Sequence, residues 1–220
     1  VSARASGACL VGAAALFWLS WLLMPGVGVT DADQILDGVA AARTAVAASV
    51  VAQLVSAALY APALVGVATL PARFANPGVH AAAIVLLVGA MGSAADAIFH
   101  LLALAMTQPG LEAAPLVPVM RFMQGSGLLL ISPLVAAYFA GSAWLCAALA
   151  RTGLVPRVCG WLHAIALAVA VAGAALSRIG AVPARVAGLV TLFLVSAAQV
   201  WVGVALIEPG RRAARVRSSA

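Results

Sequence analysis

Six stretches of mainly apolar residues, each about as long as a bilayer's hydrocarbon layer is thick, constrain this chain more than anything else in it. They run over residues 6–24, 45–70, 79–106, 119–150, 158–176 and 186–207. A helix rises about 1.5 Å per residue, so about 20 such residues cross the apolar core of a membrane. Most stretches stop at helix breakers: Pro25-Gly26, Pro71, Pro109-Gly110 and Pro209-Gly210. In lipid only a helix or a closed barrel satisfies its own backbone. The runs are rich in alanine and lack alternating polar residues, which argues against a barrel. The expected fold class is therefore all-α: a polytopic transmembrane bundle of six spans, with residues 1–210 as one domain and 211–220 as a basic tail.

Composition agrees. Of the 220 residues 65% are hydrophobic and 8% charged, with mean hydropathy +1.14. A soluble domain carries about a quarter charged residues. The net charge is +6 and all twelve basic residues are arginine. They sit at span ends and in the tail, which speaks for membrane topology and against nucleic acid. Without lysine there is no Schiff base for retinal or pyridoxal. Cys9, Cys146 and Cys159 lie in or beside spans with no CxxC spacing and read as packing residues. The run after Arg4 ends in Pro25-Gly26-Val27-Gly28 rather than a small-x-small cleavage site, so it reads as a retained first span rather than a signal peptide.

Arginine counting orients the bundle. Arg4, Arg73, Arg151, Arg157, Arg211, Arg212, Arg215 and Arg217 fall on one side, against Arg43, Arg121, Arg178 and Arg185 on the other. Both termini are therefore expected in the cytoplasm. Short loops favour a bacterial inner membrane. On the other side, Thr30 and Asp33 have capping-box spacing, and Ile35, Leu36 and Val39 follow at helical intervals, which predicts a short helix lying across that face.

Asp96 is the sole acidic residue within the six stretches, and His100 follows it by one helical turn. An ionisable pair at that depth needs a partner, a cavity or a function. Sorting polar residues by helical rise puts Asp96 about 16 Å and His100 about 10 Å below the outer end of span three. Gln53 falls at about 12 Å in span two and Gln124 at about 8 Å in span four. These four, with Ser93 one turn from Asp96 and Arg121 nearer the surface, form the candidate ligand-binding set. A carboxylate beside an imidazole favours the charged forms, whereas desolvation favours the neutral ones, so proton exchange is a natural property of such a pair. Gly125-Ser126-Gly127 and Pro133 are expected to loosen or kink span four beside it. Each member also has a plain structural reading: glutamines and small residues such as Gly89 and Ser93 bond or pack helices, and an arginine near a span end snorkels.

Other chemistries fit less well. No third acid or nearby histidine accompanies Asp96 and His100, so no metal site is expected. His100 and His163 lie at different depths and do not share a haem; His80 lies near the interface on the side of His163. No cofactor is assigned. Ser93, Asp96 and His100 share one helix, which rarely gives a triad its mutual angles, and no GxSxG elbow exists. Three functions stay open: a site for a small ligand or lipid with proton linkage, an accessory subunit of a larger membrane complex, and a lipid-modifying enzyme. The bilayer is the expected partner, and a protein partner or a second copy of the chain is left open.

Over nearly its whole length the chain resembles an uncharacterised group of six-span bacterial membrane proteins. The resemblance rests on Thr30-Asp31-Ala32 leading through Ile35-Leu36 to Arg43, and on the helix with Asp96 and His100. It implies six spans and carries no activity.

Overall fold

A computed structural model describes residues 2–71, 74, 76–112 and 114–208. The tail after 208 and Arg73 lie outside the described residues, so the basic segment read from the sequence is not among them. Helices run over Ala3–Leu23 (α1), Ala32–Ala41 (α2), Arg43–Ala68 (α3), Pro77–Met106 (α4), Val117–Phe122 (α5), Leu128–Arg151 (α6), Val158–Arg178 (α7) and Ala184–Ile207 (α8). A π-helical turn, Met123–Gly127, joins α5 to α6. Six of these segments are long and apolar enough to cross a membrane, with α5, the π turn and α6 acting as one span. The protein is an integral, multi-pass membrane protein.

Local chemistry sets the helix ends. Asn76 accepts from the Val79 amide at 3.0 Å ahead of Pro77, which at the first helical position gives up no needed donor. The short helix α2 starts one residue later than the capping-box spacing implied. Asp31, not Thr30, is its N-cap, accepting from the Gln34 amide at 2.9 Å. Helices α6 and α7 both end in a left-handed glycine, Gly153 (φ 77) and Gly180 (φ 71). In each, the amide of the next residue reaches back five positions, Leu154 to Leu149 and Ala181 to Leu176. This motif satisfies carbonyls that would otherwise be orphaned at the membrane boundary. Two arginines cap neighbouring helices instead of their own: Arg43 Nη1 donates to the Leu104 carbonyl at 3.1 Å and to Thr107 at the end of α4, and Arg185 Nη2 to the Leu22 carbonyl at the end of α1. Both lie at the end of the bundle that carries α2, which explains why basic residues persist there.

The spans form a ring in which each lies antiparallel beside the next in sequence, and α1 meets α8 to close it. Lipid offers no hydrophobic force between helices, so close backbone approach must supply the packing. Glycines permit it. A methyl group at Gly89 or Gly141 of the α4–α6 contact would collide with the facing backbone, at Tyr138 and at Leu86 respectively. Gly7 and Gly203 do the same where α1 crosses α8, and Gly66 makes room for Ser6 between α1 and α3. The weakest seam is α6 against α7.

Apolar side chains at the ring's centre, including Leu10, Tyr60, Leu86 and Leu149, form the main core. A second cluster sits at the α2 end, where Ala32, Ile35, Leu36 and Val39 face Met24, Val46, Ala103 and Met120. The apolar stripe of α2 thus roofs that end of the bundle. Replacing Gly89 by alanine should force α4 from α6 and lower stability by about 1–3 kcal/mol. Gly125→Ala, which meets open space, should leave it nearly unchanged. Thermal unfolding of the two variants in detergent checks this; equal melting temperatures would contradict the packing role.

Candidate functional site

Asp96 and His100 both lie on α4, and the residue that joins them comes from α3. Gln53 Nε2 donates to Asp96 Oδ2 at 2.9 Å, and Gln53 Oε1 faces His100 Nδ1 at 3.2 Å. An amide oxygen only accepts, so Nδ1 carries a proton in this arrangement. His100 Nε2 then points toward Asp96 Oδ2 at 3.8 Å, too long for a hydrogen bond. The Trp21 ring of α1 stands edge-on to the imidazole, with centroids 5.6 Å apart. Gln53 is buried, while Asp96 and His100 keep 13% and 14% of their side-chain surface. That residual surface decides the character of the group: it opens into a cavity.

The cavity holds about 270 Å³ and lies beneath the segment 26–30 and α2. Trp21, Met24, Phe99, Met120 and Gln124 contribute to its wall beside Asp96 and His100. A smaller cavity of about 130 Å³ continues on the far side of Asp96, walled by Gln53, Ser93, Tyr138 and Phe139 among others. Trp21, Asp96 and Leu128 belong to both walls. Two polar atoms among them, Trp21 Nε1 and Ser93 Oγ, are buried with no hydrogen-bond partner among the described residues. Leaving such groups unpaired costs about 1–3 kcal/mol each. The Ser93 hydroxyl does not even take the carbonyl one turn back on its own helix.

The six candidate residues are therefore distributed as follows. Gln53, Asp96 and His100 are bonded or in contact; Gln124 shares their cavity without a hydrogen bond to them; Ser93 lines the inner cavity. Arg121, on α5, is exposed and outside both cavity walls. The π turn explains part of this geometry. It widens the helix at Met123–Gly127, turning Met123 inward and seating Gly127 against the Phe99 ring. Ser93 makes no hydrogen bond to His100.

A second polar group, deeper in the ring, was not singled out from the sequence. The Tyr60 hydroxyl donates to Gln199 Oε1 and accepts from the Tyr138 hydroxyl at 2.7 Å, with Tyr138 Oη a further 3.3 Å from the same amide oxygen. Gln199 Nε2 donates to Ser142 Oγ at 2.8 Å, and Ser142 Oγ lies 2.8 Å from His163 Nε2. This chain ties α3, α6, α7 and α8 together. A signal for it existed: the chain has two tyrosines, and both fall in mid-span rather than at the interface where such rings usually lie. His80 sits elsewhere, with one ring nitrogen 3.1 Å from the Asn76 carbonyl and the other 2.8 Å from that of Ala68. Neither is free to serve as an axial ligand. Among the described residues no three His, Cys, Asp or Glu side chains gather as a metal site would require.

Comparison with protein families, curated proteins and solved structures finds no match for the chain. The geometry must speak alone. The deep network predicts one outcome directly. Gln199→Leu removes the acceptor of the Tyr60 hydroxyl and the donor to Ser142, and should lower stability by about 1–3 kcal/mol. Adding Tyr60→Phe and Tyr138→Phe together to that variant should recover part of the loss, because a missing partner is less harmful when its counterparts are also gone. A triple variant less stable than the single one by thermal unfolding would contradict the network.

Proposed function

We propose that this membrane protein binds a small neutral or cationic ligand, or a lipid headgroup of that charge, in the cavity beside Asp96 and His100, with proton exchange at that pair. The observation that carries the reading is the bonded trio Gln53–Asp96–His100, left partly open to a cavity, with the unpartnered Trp21 Nε1 in a residue of its wall and the unpartnered Ser93 Oγ in a residue of the adjoining smaller cavity. Helix packing alone accounts for the trio but not for the unpartnered Ser93 hydroxyl and Trp21 N–H. A ligand with an oxygen acceptor would satisfy them. The cavity wall includes no arginine, and its acidic residue is Asp96. That balance disfavours anions and suits an amine or hydroxyl compound. A volume of about 270 Å³ limits the ligand to a small one.

Proton linkage follows from the geometry of the pair. With Nδ1 bonded to Gln53, His100 takes up its second proton at Nε2, the nitrogen facing Asp96. That proton converts a 3.8 Å approach into an ion pair. A cationic ligand at Asp96 competes with it for the same carboxylate. With both termini in the cytoplasm, as the arginine distribution favours, the cavity opens toward the opposite compartment, which in a bacterial inner membrane is the periplasm.

The test is thermal unfolding of the purified protein with ethanolamine, choline, glycerol and acetate. Ligand at a hundred times its dissociation constant stabilises by about 2.7 kcal/mol, a shift of several degrees. The amines or glycerol should raise the melting temperature of the wild type, more weakly at acid pH for the amines, and should not raise that of Asp96→Asn. Stabilisation by acetate alone, or an equal shift in Asp96→Asn, would sink the reading.

A further inference from the structure

The seam between α6 and α7 carries a second arrangement, remote from the Asp96 cavity. Ser142 of α6 meets His163 of α7 at 2.8 Å well inside the seam, and Cys146 contacts Cys159 nearer the connecting turn. Two depressions lie along this seam. One, at the turn, has Arg151, Arg157 and Trp161 around Ala147, Ala150 and Gly160 and holds about 520 Å³. The other, of about 380 Å³, lies further along between Ala140, Ala143, Leu167 and Ala170, with Thr191 and Val195 of α8 also in its wall.

The two depressions share one helical stripe on each side. Ala140, Ala143, Ala147 and Ala150 recur every three or four residues on α6, as do Gly160, His163, Leu167 and Ala170 on α7. On α6 the stripe is alanine throughout, and on α7 Gly160 and Ala170 flank His163 and Leu167. From Gly160 to Ala170 the helix rises about 15 Å, the length of an extended chain of about a dozen carbons. At the turn the chemistry changes. Arg151 and Arg157 are exposed, and neither guanidinium has a hydrogen-bond or ion-pair partner among the described residues. No acidic residue occurs between 151 and 160. Trp161 is 66% exposed beside them, at the boundary where indole rings prefer the headgroup layer.

We propose that this seam binds an anionic phospholipid, with its phosphate between Arg151 and Arg157, its headgroup region against Trp161, and one acyl chain in the groove between α6 and α7. Planar guanidinium groups match phosphate oxygens in pairs, and two uncompensated ones at a membrane boundary form a basic pocket of the kind that holds lipid phosphate. Arginines that only anchored span ends would need no hollow stripe running inward from them. The proposal is independent of the ligand at Asp96.

Native mass spectrometry of the full-length protein from mild detergent, titrated with phosphatidylglycerol, phosphatidylcholine or inorganic phosphate, tests it. Phosphatidylglycerol should bind more tightly than phosphatidylcholine. Arg151→Gln with Arg157→Gln should weaken it about thirtyfold, at about 1 kcal/mol for each arginine. Ala170→Leu, which fills the groove and leaves the arginines in place, should also weaken it, whereas Gly125→Ala, which meets open space, should not. Equal affinity for the two lipids, undiminished binding in the double arginine variant or in Ala170→Leu, or displacement of the lipid by millimolar inorganic phosphate would overturn the proposal; the last would mark a free-phosphate site.

Discussion

Backbone-to-backbone approach at glycine is the contact on which the remaining architecture depends. In lipid an apolar side chain is no better off against a neighbouring helix than against an acyl chain, so helices associate only where they fit closely or exchange hydrogen bonds. Gly89 against Tyr138, Gly141 against Leu86 and Gly7 against Gly203 supply the fit. They draw α4 to α6 and α1 to α8, and those two contacts close the ring. Once it is closed, polar side chains on α3, α4, α6, α7 and α8 face one another rather than lipid.

Two polar groups then divide the interior. The deeper one, Tyr60–Tyr138–Gln199–Ser142–His163, is a bonded chain among buried side chains. Each interhelical hydrogen bond of this kind contributes only about 0.6 kcal/mol on average in a membrane. Its larger effect is directional, because a misplaced helix would strand several donors at once. The other, Gln53–Asp96–His100, differs in being open. It borders cavities on two sides, and Ser93 and Trp21 next to it hold polar atoms that the protein does not satisfy. The deep group leaves one ring nitrogen, His163 Nδ1, without a partner, whereas the open group adjoins empty volume beside its unpaired atoms.

The opening itself comes from a departure from regular helix. Span four contains three weak points, Gly125, Gly127 and Pro133. The first two fall in a π-helical turn, a local widening that often accompanies functional sites. There α5 and the π turn give the cavity Met120, Met123 and Gln124, while α6 continues onward in contact with α4. The roof is the amphipathic helix α2, whose apolar stripe buries Ile35, Leu36 and Val39.

Much of this was legible in one dimension. Span number and helical class follow from hydropathy alone, because an unsatisfied backbone is intolerable in lipid and about 20 apolar residues have no other stable form there. Depth is nearly as legible, since helical rise is constant: Gln53, Asp96 and His100 fall in one layer by counting residues. What counting cannot supply is azimuth, the direction each side chain takes around its helix relative to neighbours distant in sequence. Arg121 and Gln124 are three residues apart, yet the π turn and the rotation of span four leave the first exposed and the second in the cavity wall. Gln199 stands in a mainly apolar run, and its partners Tyr60 on α3 and Tyr138 on α6 lie far from it in sequence and meet it only when the ring closes. The sequence by itself determined a six-span helical membrane protein with an ionisable pair at known depth. Only the tertiary structure decided which polar atoms are paired, which are stranded and where the empty volume lies, because those depend on helix rotation and close contact between residues far apart along the chain.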